Sequence, residues 1–190
     1  MDQDTVIIVS GLPRSGTSMM MRMLEAGGMA VLIDRIRGAD EDNPQGYYEF
    51  ERVKQLEHDK GWLPEAKGKA VKMISALLKY LPNDYQYKVI FMQRKMGEIL
   101  SSQKQMLLRR GEATDAVSDD KMAEVFQKHL AQTQSWLNQQ PNVQVLFIDY
   151  DETVRNPLTQ AQRVSQWLGS FLDVWEMAAA VDPKLHRQRV

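Results

Sequence analysis

Short apolar runs and amphipathic segments follow one another along the chain. The apolar runs contain little alternation of polar residues, which is typical of strands that are buried on both faces of a sheet. They lie at residues 6–9, at 69–74 (KAVKMI), at 87–93 (YKVIFMQ) and at 143–148 (VQVLFI). Turn signals, among them Asn43-Pro44 and Gln45-Gly46, separate several of the segments.

The segments between and after these runs favour helices. Apolar spacing, capping residues and terminal glycines predict helices at residues 17–26, 49–59, 96–110, 121–138, 157–168 and 174–181. Because strands alternate with helices, the sequence predicts an α/β fold in three layers, with a central parallel β-sheet flanked by helices. Its length of 190 residues predicts one domain, residues 1–190.

Composition narrows the classes of function. The chain has 24 Lys and Arg against 25 Asp and Glu, a net charge of −1, which gives no bulk attraction to nucleic acid or to an anionic membrane. It has no cysteine, so thiolate metal sites and cysteine nucleophiles are excluded. The N-terminus lacks the features of a signal peptide, and no apolar run approaches the length of a membrane span. These observations predict a soluble, cytoplasmic protein.

The segment GLPRSGTSMM, which follows the first apolar run, carries the first candidate chemistry. A strand that turns through glycines into a helix directs several backbone N–H groups, and the positive end of the helix dipole, at one point. We expect a phosphate there, contacted by Arg14, Ser15, Gly16, Thr17 and Ser18. The alternative is an ordinary glycine-containing turn, but the order of strand, polar loop and helix favours phosphate binding.

The loop departs from the ATP- and GTP-binding loops in one respect. Thr17 stands where those loops carry the lysine that reaches the β and γ phosphates. The segment PRSGTS instead resembles the phosphate-binding loop of the P-loop sulfotransferases, which use 3′-phosphoadenosine 5′-phosphosulfate (PAPS). In that family an arginine at a strand end, and a serine eight positions later, hold the 3′-phosphate. Here VIFMQRKMGEILSSQ supplies Arg94 and Ser102 at that spacing, although Lys95-Met96 replaces the family's frequent Asn-Pro.

The resemblance continues in VLFIDYDETVRNPLTQAQRVSQWLG and covers residues 6–169. It implies sulfuryl transfer from PAPS, with 3′-phosphoadenosine 5′-phosphate (PAP) as product, to an acceptor hydroxyl or amine, without a metal. It also implies that Arg14 lies near the bridging oxygen that gains charge when the bond to sulfur breaks. The acceptor itself, and the oligomeric state, cannot be read from the sequence.

Two family features are missing. Ile74 occupies the position of the histidine base of many cytosolic members, and the C-terminal basic segment is reduced to KLHRQR, which includes His186. A carboxylate can take the proton of the acceptor instead. Glu49, after NPQGYY, is the first candidate and Asp34 is the second, whereas Lys72 in its neutral form is a further route. Each carboxylate could equally be a solvated charge or an acid in a first helical turn.

Two other functions stay open. A P-loop small-molecule kinase or NTPase is suggested by Asp149, which follows an apolar strand as a magnesium-binding aspartate does, but the loop lacks the lysine of that class. A non-catalytic nucleotide-binding module is the second.

His129 lies on the apolar stripe of its helix, which indicates packing, and His58 is expected at a solvated helix end. No metal-ligand spacing stands out, so no metal is expected.

Overall fold

A parallel sheet of four strands forms the centre of the molecule. The computed structural model describes residues 4–41, 43–114 and 117–185. The strands are β1 (Thr5–Gly11), β2 (Ala70–Lys72), β3 (Gln86–Gln93) and β4 (Val143–Asp149), and their order across the sheet is β2-β1-β3-β4. All three pairings are parallel, as the sequence predicts.

The register brings the ends of the strands to one edge of the sheet. Val9 lies opposite both Lys72 and Ile90, while Gln93 at the end of β3 lies opposite Asp149 at the end of β4. The loops that follow β1, β2 and β3 therefore leave the sheet side by side. This carboxyl edge is where open α/β sheets bind their ligands.

Helices cover both faces. They are α1 (Thr17–Ala26), α2 (Leu63–Ala66), α3 (Met96–Arg109), α4 (Asp119–Gln139), α5 (Tyr150–Arg155), α6 (Pro157–Leu168) and α7 (Val174–Ala179). Short 3-10 helices span Glu51–Gln55, Ser75–Tyr80 and Pro183–Leu185.

Alternating residues of β1 supply the two cores. Ile7 and Val9 pack with buried residues of α1, α6 and α7, whereas Val6 and Ile8 pack on the other face with α2 and the C-terminal end of α4. Since β1 is a central strand, its residues on both faces are withdrawn from water, which explains its uninterrupted apolar run. The predicted three-layer α/β architecture is confirmed.

The segment 49–59 differs from its prediction. Only the 3-10 helix Glu51–Gln55 forms, and Glu49 lies before it in non-helical backbone. A contact from a distant part of the chain explains the difference. The backbone N–H of Asp34 donates to the Glu49 carbonyl oxygen at 3.2 Å, and Asp34 Oδ2 accepts from the N–H of Glu51 at 2.6 Å. The Glu49 carbonyl oxygen, which would accept the first hydrogen bond of an α-helix that begins there, accepts from Asp34 instead.

The apolar stripe predicted for α4 is only partly buried. Leu137 is buried in the core, and Leu130 and Trp136 pack against it. Val125, in contrast, is 53% exposed. The helix therefore uses its C-terminal half to cover the sheet.

Candidate functional site

A cleft of about 380 Å³ opens at the carboxyl edge of the sheet. The loop between β1 and α1 forms its floor. One wall is the end of β3 with α3, and the facing wall is the segment 37–49, which in its described part contains no helix or named strand. Both phosphate-binding motifs predicted from the sequence thus reach the same cleft.

Gly16 shapes the phosphate-binding loop. Its φ is +99°, and a Cβ atom at this position would lie 2.4 Å from Cδ2 of the Tyr150 ring. Any other residue would therefore meet both backbone strain and a ring in its way. Gly16 also precedes α1 and has no side chain with which to cap it. The N–H groups of the first helical turn are therefore left available to donate hydrogen bonds to an anion in the cleft.

Arg14 joins the loop to the wall formed by α3 and the end of β3. Its Nε donates to Ser102 Oγ at 2.9 Å, and its carbonyl oxygen accepts from Arg94 Nη1 at 3.0 Å. Its backbone has φ of +71°, a left-handed conformation that a residue with a side chain adopts at a cost. The loop arginine, the arginine at the end of β3 and the serine of α3 thus form one connected group.

Arg94 is held on three sides. Besides the Arg14 carbonyl, it donates from Nε to Glu98 Oε2 at 2.9 Å, and its guanidinium carbon lies 4.3 Å from the centre of the Tyr150 ring. The Arg94 side chain is 7% exposed and the Glu98 side chain 1%. Because Glu98 lies four residues further on, in the first turn of α3, its carboxylate faces the strand end and fixes the guanidinium.

Ser18 and Lys72 hold the segment 37–49 against the loop. Ser18 Oγ accepts from Lys72 Nζ at 3.2 Å and from Asn43 Nδ2 at 3.0 Å, and donates to the Tyr47 carbonyl oxygen at 3.2 Å. Lys72 also donates to that carbonyl. Burial lowers the pKa of Lys72 to about 8, although the nearby Glu49 carboxylate opposes the shift.

The two other hydroxyl residues of the loop occupy different places. Thr17 lines the cleft. Ser15 does not, because its side chain lies against a second cavity of about 200 Å³, which Phe91 and Leu137 also line. Its Oγ is buried and makes no hydrogen bond within the described part of the chain. The Ser15 hydroxyl is thus turned away from the cleft that its loop lines.

The side chains of Glu49 and Asp34 have different surroundings, although their backbones are hydrogen-bonded. Glu49 lines the cleft, where its Oε1 accepts from Arg37 Nη1 at 3.1 Å and lies 3.9 Å from Lys72 Nζ. Its Oε2 is buried and lies 3.5 Å from Lys54 Nζ. Asp34 is not among the residues that line the cleft, and both of its oxygens accept backbone N–H groups, from Ile36 at 3.0 Å and from Glu51 at 2.6 Å.

Some cleft residues carry no sequence signal of their own. The Arg37 guanidinium carbon lies 3.3 Å from the centre of the Tyr47 ring, and Tyr47 donates from its hydroxyl to Asp40 Oδ1 at 2.6 Å. Ile74 is 44% exposed and lines the cleft at the position of the family's histidine. Arg37 could have been found only through its contacts, since nothing in the surrounding pattern distinguishes it from a solvated charge.

Neither of the two described histidines, His58 and His129, lines the cleft. His129 shares a hydrogen bond of 2.8 Å between its Nε2 and Ser75 Oγ, which links α4 to a 3-10 helix, and burial lowers its pKa. His186 lies outside the described residues. Within residues 4–41, 43–114 and 117–185, no cluster of three or more His, Asp or Glu side chains is placed to hold a metal ion. No described helix combines the length and apolar character of a membrane span.

Comparisons with known proteins agree with this geometry. Two solved structures share the fold. The sulfotransferase domain from the curacin biosynthetic pathway has a TM-score of 0.53 at 13% identity, over 98% of this chain and 92% of that one. Retinol dehydratase in complex with androsterone and the inactive cofactor PAP has a TM-score of 0.50 at 14% identity, over 98% of this chain and 65% of that one.

Two sequence comparisons gave different results: a family model matches, whereas no curated sequence does. Curated protein sequences include no significant match. The family model of the sulfotransferase domain matches residues 4–182, nearly the whole chain. The resemblance inferred from the two phosphate-binding motifs is thereby confirmed, and this chain belongs to the sulfotransferase domain family.

Proposed function

We propose that this protein transfers the sulfuryl group of PAPS to a hydroxyl group of a small-molecule acceptor. The observation that carries the proposal is the meeting of two motifs in one cleft: Arg14 donates to Ser102 at 2.9 Å, and Arg94 donates to the Arg14 carbonyl at 3.0 Å. A nucleotide with phosphates at both its 5′ and 3′ positions needs two such anion sites close together. We further propose that a single domain, residues 1–190, contains the activity.

The cleft fits the donor by the chemistry of its side chains. PAPS, when bound, supplies a sulfuryl group whose leaving group is a stable phosphate. The N-terminus of α1, with Thr17 and Arg14, would hold the 5′ end of the nucleotide, where charge grows during transfer. Arg94 and Ser102 would hold the 3′-phosphate, Arg94 being already oriented by Glu98 and Tyr150. Preorganised donors of this kind cost little reorganisation at the moment of reaction.

Two residues of the cleft can take the proton of the acceptor and stabilise negative charge. Glu49 is the only carboxylate among the described residues that line the cleft, so it can accept a proton from an acceptor hydroxyl there. Arg37 and Lys72 lie on the side of Oε1 and orient the group. Lys72 sits at the end of β2 between Ser18 and Tyr47, where its ammonium can stabilise a transferring anion. We propose Glu49 as the base and Lys72 as the cation beside it.

Asp34 has a structural place instead. Both of its oxygens are engaged by backbone N–H groups, and they fix the start of the 3-10 helix Glu51–Gln55 behind Glu49. It would therefore act on the reaction through the position of Glu49. The cytoplasmic location and the independence from metal stay predictions.

Calorimetry tests the proposal. We expect PAP to bind and ATP with Mg²⁺ to bind much more weakly, since the loop has no lysine for the γ-phosphate. Transfer of labelled sulfate from PAPS to a panel of alcohols and phenols then distinguishes an enzyme from a binding module. Tight ATP–Mg²⁺ binding with no PAP binding would instead support the kinase alternative, and PAP binding with no transfer to any acceptor would support the module.

A further inference from the structure

The segment 37–49, which carries the proposed base, has little regular structure of its own. Its described part contains no helix or named strand. The N–H of Asp34 fixes the Glu49 backbone, but the direction of the Glu49 side chain must be set by other residues. That direction matters, because a general base acts only within hydrogen-bond reach of the proton that it takes.

Arg37 makes the shortest contact of the Glu49 carboxylate among the described residues. Its Nη1 donates to Oε1 at 3.1 Å, whereas Lys54 Nζ lies 3.5 Å from Oε2 and Lys72 Nζ lies 3.9 Å from Oε1. A guanidinium directs a carboxylate more strictly than an ammonium does, since its N–H donors lie in one plane. The orientation of Glu49 therefore depends first on where Arg37 is held.

Tyr47 holds the Arg37 guanidinium. The guanidinium carbon lies 3.3 Å from the centre of the Tyr47 ring, a stacked cation–π contact. The Tyr47 hydroxyl donates to Asp40 Oδ1 at 2.6 Å, and Asp40 Oδ2 lies 4.0 Å from Arg37 Nη2. Tyr47 is 6% exposed, so its ring is fixed by packing. The ring thus sets the plane of the guanidinium that contacts Glu49.

The backbone of the same tyrosine is tied to the nucleotide side of the cleft. Its carbonyl oxygen accepts from Ser18 Oγ at 3.2 Å and from Lys72 Nζ. Ser18 lies in the first turn of α1, and Lys72 ends β2, which pairs with β1. Tyr47 is therefore attached through its carbonyl to the phosphate-binding side and through its ring to Arg37.

We infer that Tyr47 is a positioning residue, which holds Glu49 through Arg37 at a fixed place relative to the phosphate-binding loop. The inference rests on the proposed function, in which Glu49 takes the proton of the acceptor. The acceptor hydroxyl must lie between the base and the donor, so the separation of those two sites has to be maintained. The contacts from Ser18 through Tyr47 and Arg37 to Glu49 maintain it.

A double-variant cycle tests the inference. Tyr47→Leu removes the ring, Glu49→Gln removes the base, and both are compared with the variant that carries the two changes. The measurements are kcat for sulfate transfer to the best acceptor of the wild type, and PAP affinity by calorimetry. Tyr85→Leu is the matched control, because a cation, Lys67 Nζ, also lies 5.7 Å from the centre of the Tyr85 ring, yet Tyr85 does not line the cleft.

We expect Tyr47→Leu to lower kcat by about ten- to a hundredfold, since a misplacement of about 1 Å has such a cost. PAP affinity should stay nearly unchanged, because the Tyr47 carbonyl is retained. In the Glu49→Gln background, Tyr47→Leu should lower kcat by no more than about twofold, because residues that act as a unit do not give additive losses. Tyr85→Leu should change neither quantity.

Variants at Arg37 keep the test decisive if Tyr47→Leu folds poorly. The Arg37 side chain is 34% exposed, and Arg37→Gln should repeat the pattern of Tyr47→Leu in the cycle. Arg37→Lys should recover part of kcat, because it keeps the charge but loses the planar donors. Added methylguanidine should restore part of the kcat of Arg37→Ala by occupying the place between Tyr47 and Glu49. A general packing defect would not respond to methylguanidine.

Three results would overturn the inference. The first is a loss of kcat in Tyr47→Leu that is equally large with and without Glu49, since Tyr47 would then act independently of the base. The second is a loss of PAP affinity in Tyr47→Leu, which would assign the ring to the nucleotide. The third is a normal kcat in both Tyr47→Leu and Arg37→Gln. The proposed function fails separately, when the wild type binds no PAP or transfers sulfate to no acceptor.

Discussion

Arg14 and Ser102 are joined by a hydrogen bond of 2.9 Å from Nε to Oγ, although 88 positions separate them in the chain. The first belongs to the loop after β1 and the second to α3. The bond ties the two proposed phosphate sites together before any nucleotide is present. Occupation of one site would therefore affect the position of a side chain in the other.

Arg94 is predicted to determine the preference for a 3′-phosphate. Arg94→Ala should weaken PAP binding by about ten- to a hundredfold and leave adenosine 5′-phosphate binding nearly unchanged, because the lost contact is charge-assisted. Calorimetry with both nucleotides measures the difference. Equal affinity for both in the wild type would contradict the assignment of Arg94 and Ser102.

A control is needed because Glu98 is 1% exposed and pairs with Arg94. Arg94→Ala alone removes the 2.9 Å partner of the buried Glu98 carboxylate, which keeps a longer contact of 3.9 Å with Lys95 Nζ, and should lower the free energy of unfolding. The double variant Arg94→Ala, Glu98→Gln should regain stability without regaining selectivity for PAP. Arg163→Ala, an exposed position on α6, controls for the loss of one positive charge.

Arg14 is predicted to act on turnover more than on product binding. Charge placed where the transition state develops negative charge raises kcat, whereas uniform binding does not. Arg14→Ala should lower kcat for sulfate transfer by about a hundredfold or more, the cost typical of one lost transition-state donor, with a smaller change in PAP affinity. Arg14→Lys keeps the charge but loses the fork that meets Ser102, so we expect partial recovery. A variant that binds PAP poorly and turns over normally would show that Arg14 is only a clamp.

Glu49 and Asp34 are predicted to give opposite phenotypes. Glu49→Gln should lower kcat by roughly 10²–10⁴, the usual contribution of a general base, with a smaller effect on stability because the amide oxygen can still accept from Arg37. Asp34→Asn should lower the free energy of unfolding by about 1–3 kcal/mol, because an amide oxygen replaces a carboxylate that accepts two N–H groups. Thermal unfolding and single-turnover rates separate the two. Near-normal turnover in Glu49→Gln with a loss in Asp34→Asn would reverse their roles.

Lys72 is predicted to set the alkaline limb of activity. Its pKa is lowered to about 8 by burial, so its ammonium is lost as the pH rises through that value. If the cation is required, kcat/KM for PAPS, which reports the free enzyme, should be full below about pH 8 and fall above it. Lys72→Arg should move the limb well above pH 10, since a guanidinium stays protonated. A rate that instead rises through pH 8 would show that the neutral amine accepts the proton.

The strand, loop and helix that carry Arg14 follow from local sequence. Apolar residues, glycines and a helix start within a few positions determine that unit, so the pattern from residue 6 to residue 26 predicts it well. Arg94 and Ser102 were accessible through their spacing and the family resemblance. The side-chain direction of Ser15 was not, because it depends on the cavity behind the loop, which residues distant in sequence, Phe91 and Leu137, also line.

The wall that carries Glu49 was predicted least well. Residues 49–59 have helical spacing, yet Asp34 engages the backbone at Glu49 and Glu51 and prevents a full helix. Arg37, Tyr47 and Lys72 meet there through contacts between segments that are distant in sequence. The hydrophobic periodicity of the sequence does not mark such contacts, so only the folded chain shows which charges face the cleft.

The two walls of the cleft differ in what keeps them in place. The nucleotide side is built from paired strands and helices, whereas the segment 37–49 is held to the cleft mainly by hydrogen bonds with the Ser18 and Lys72 side chains. Loop exchange could therefore redesign acceptor choice without rebuilding the donor machinery. A suitable chimera keeps Arg37, Asn43, Tyr47 and Glu49 and takes the other residues of the segment 37–49 from a different family member. It offers a direct starting point for engineering new sulfated products.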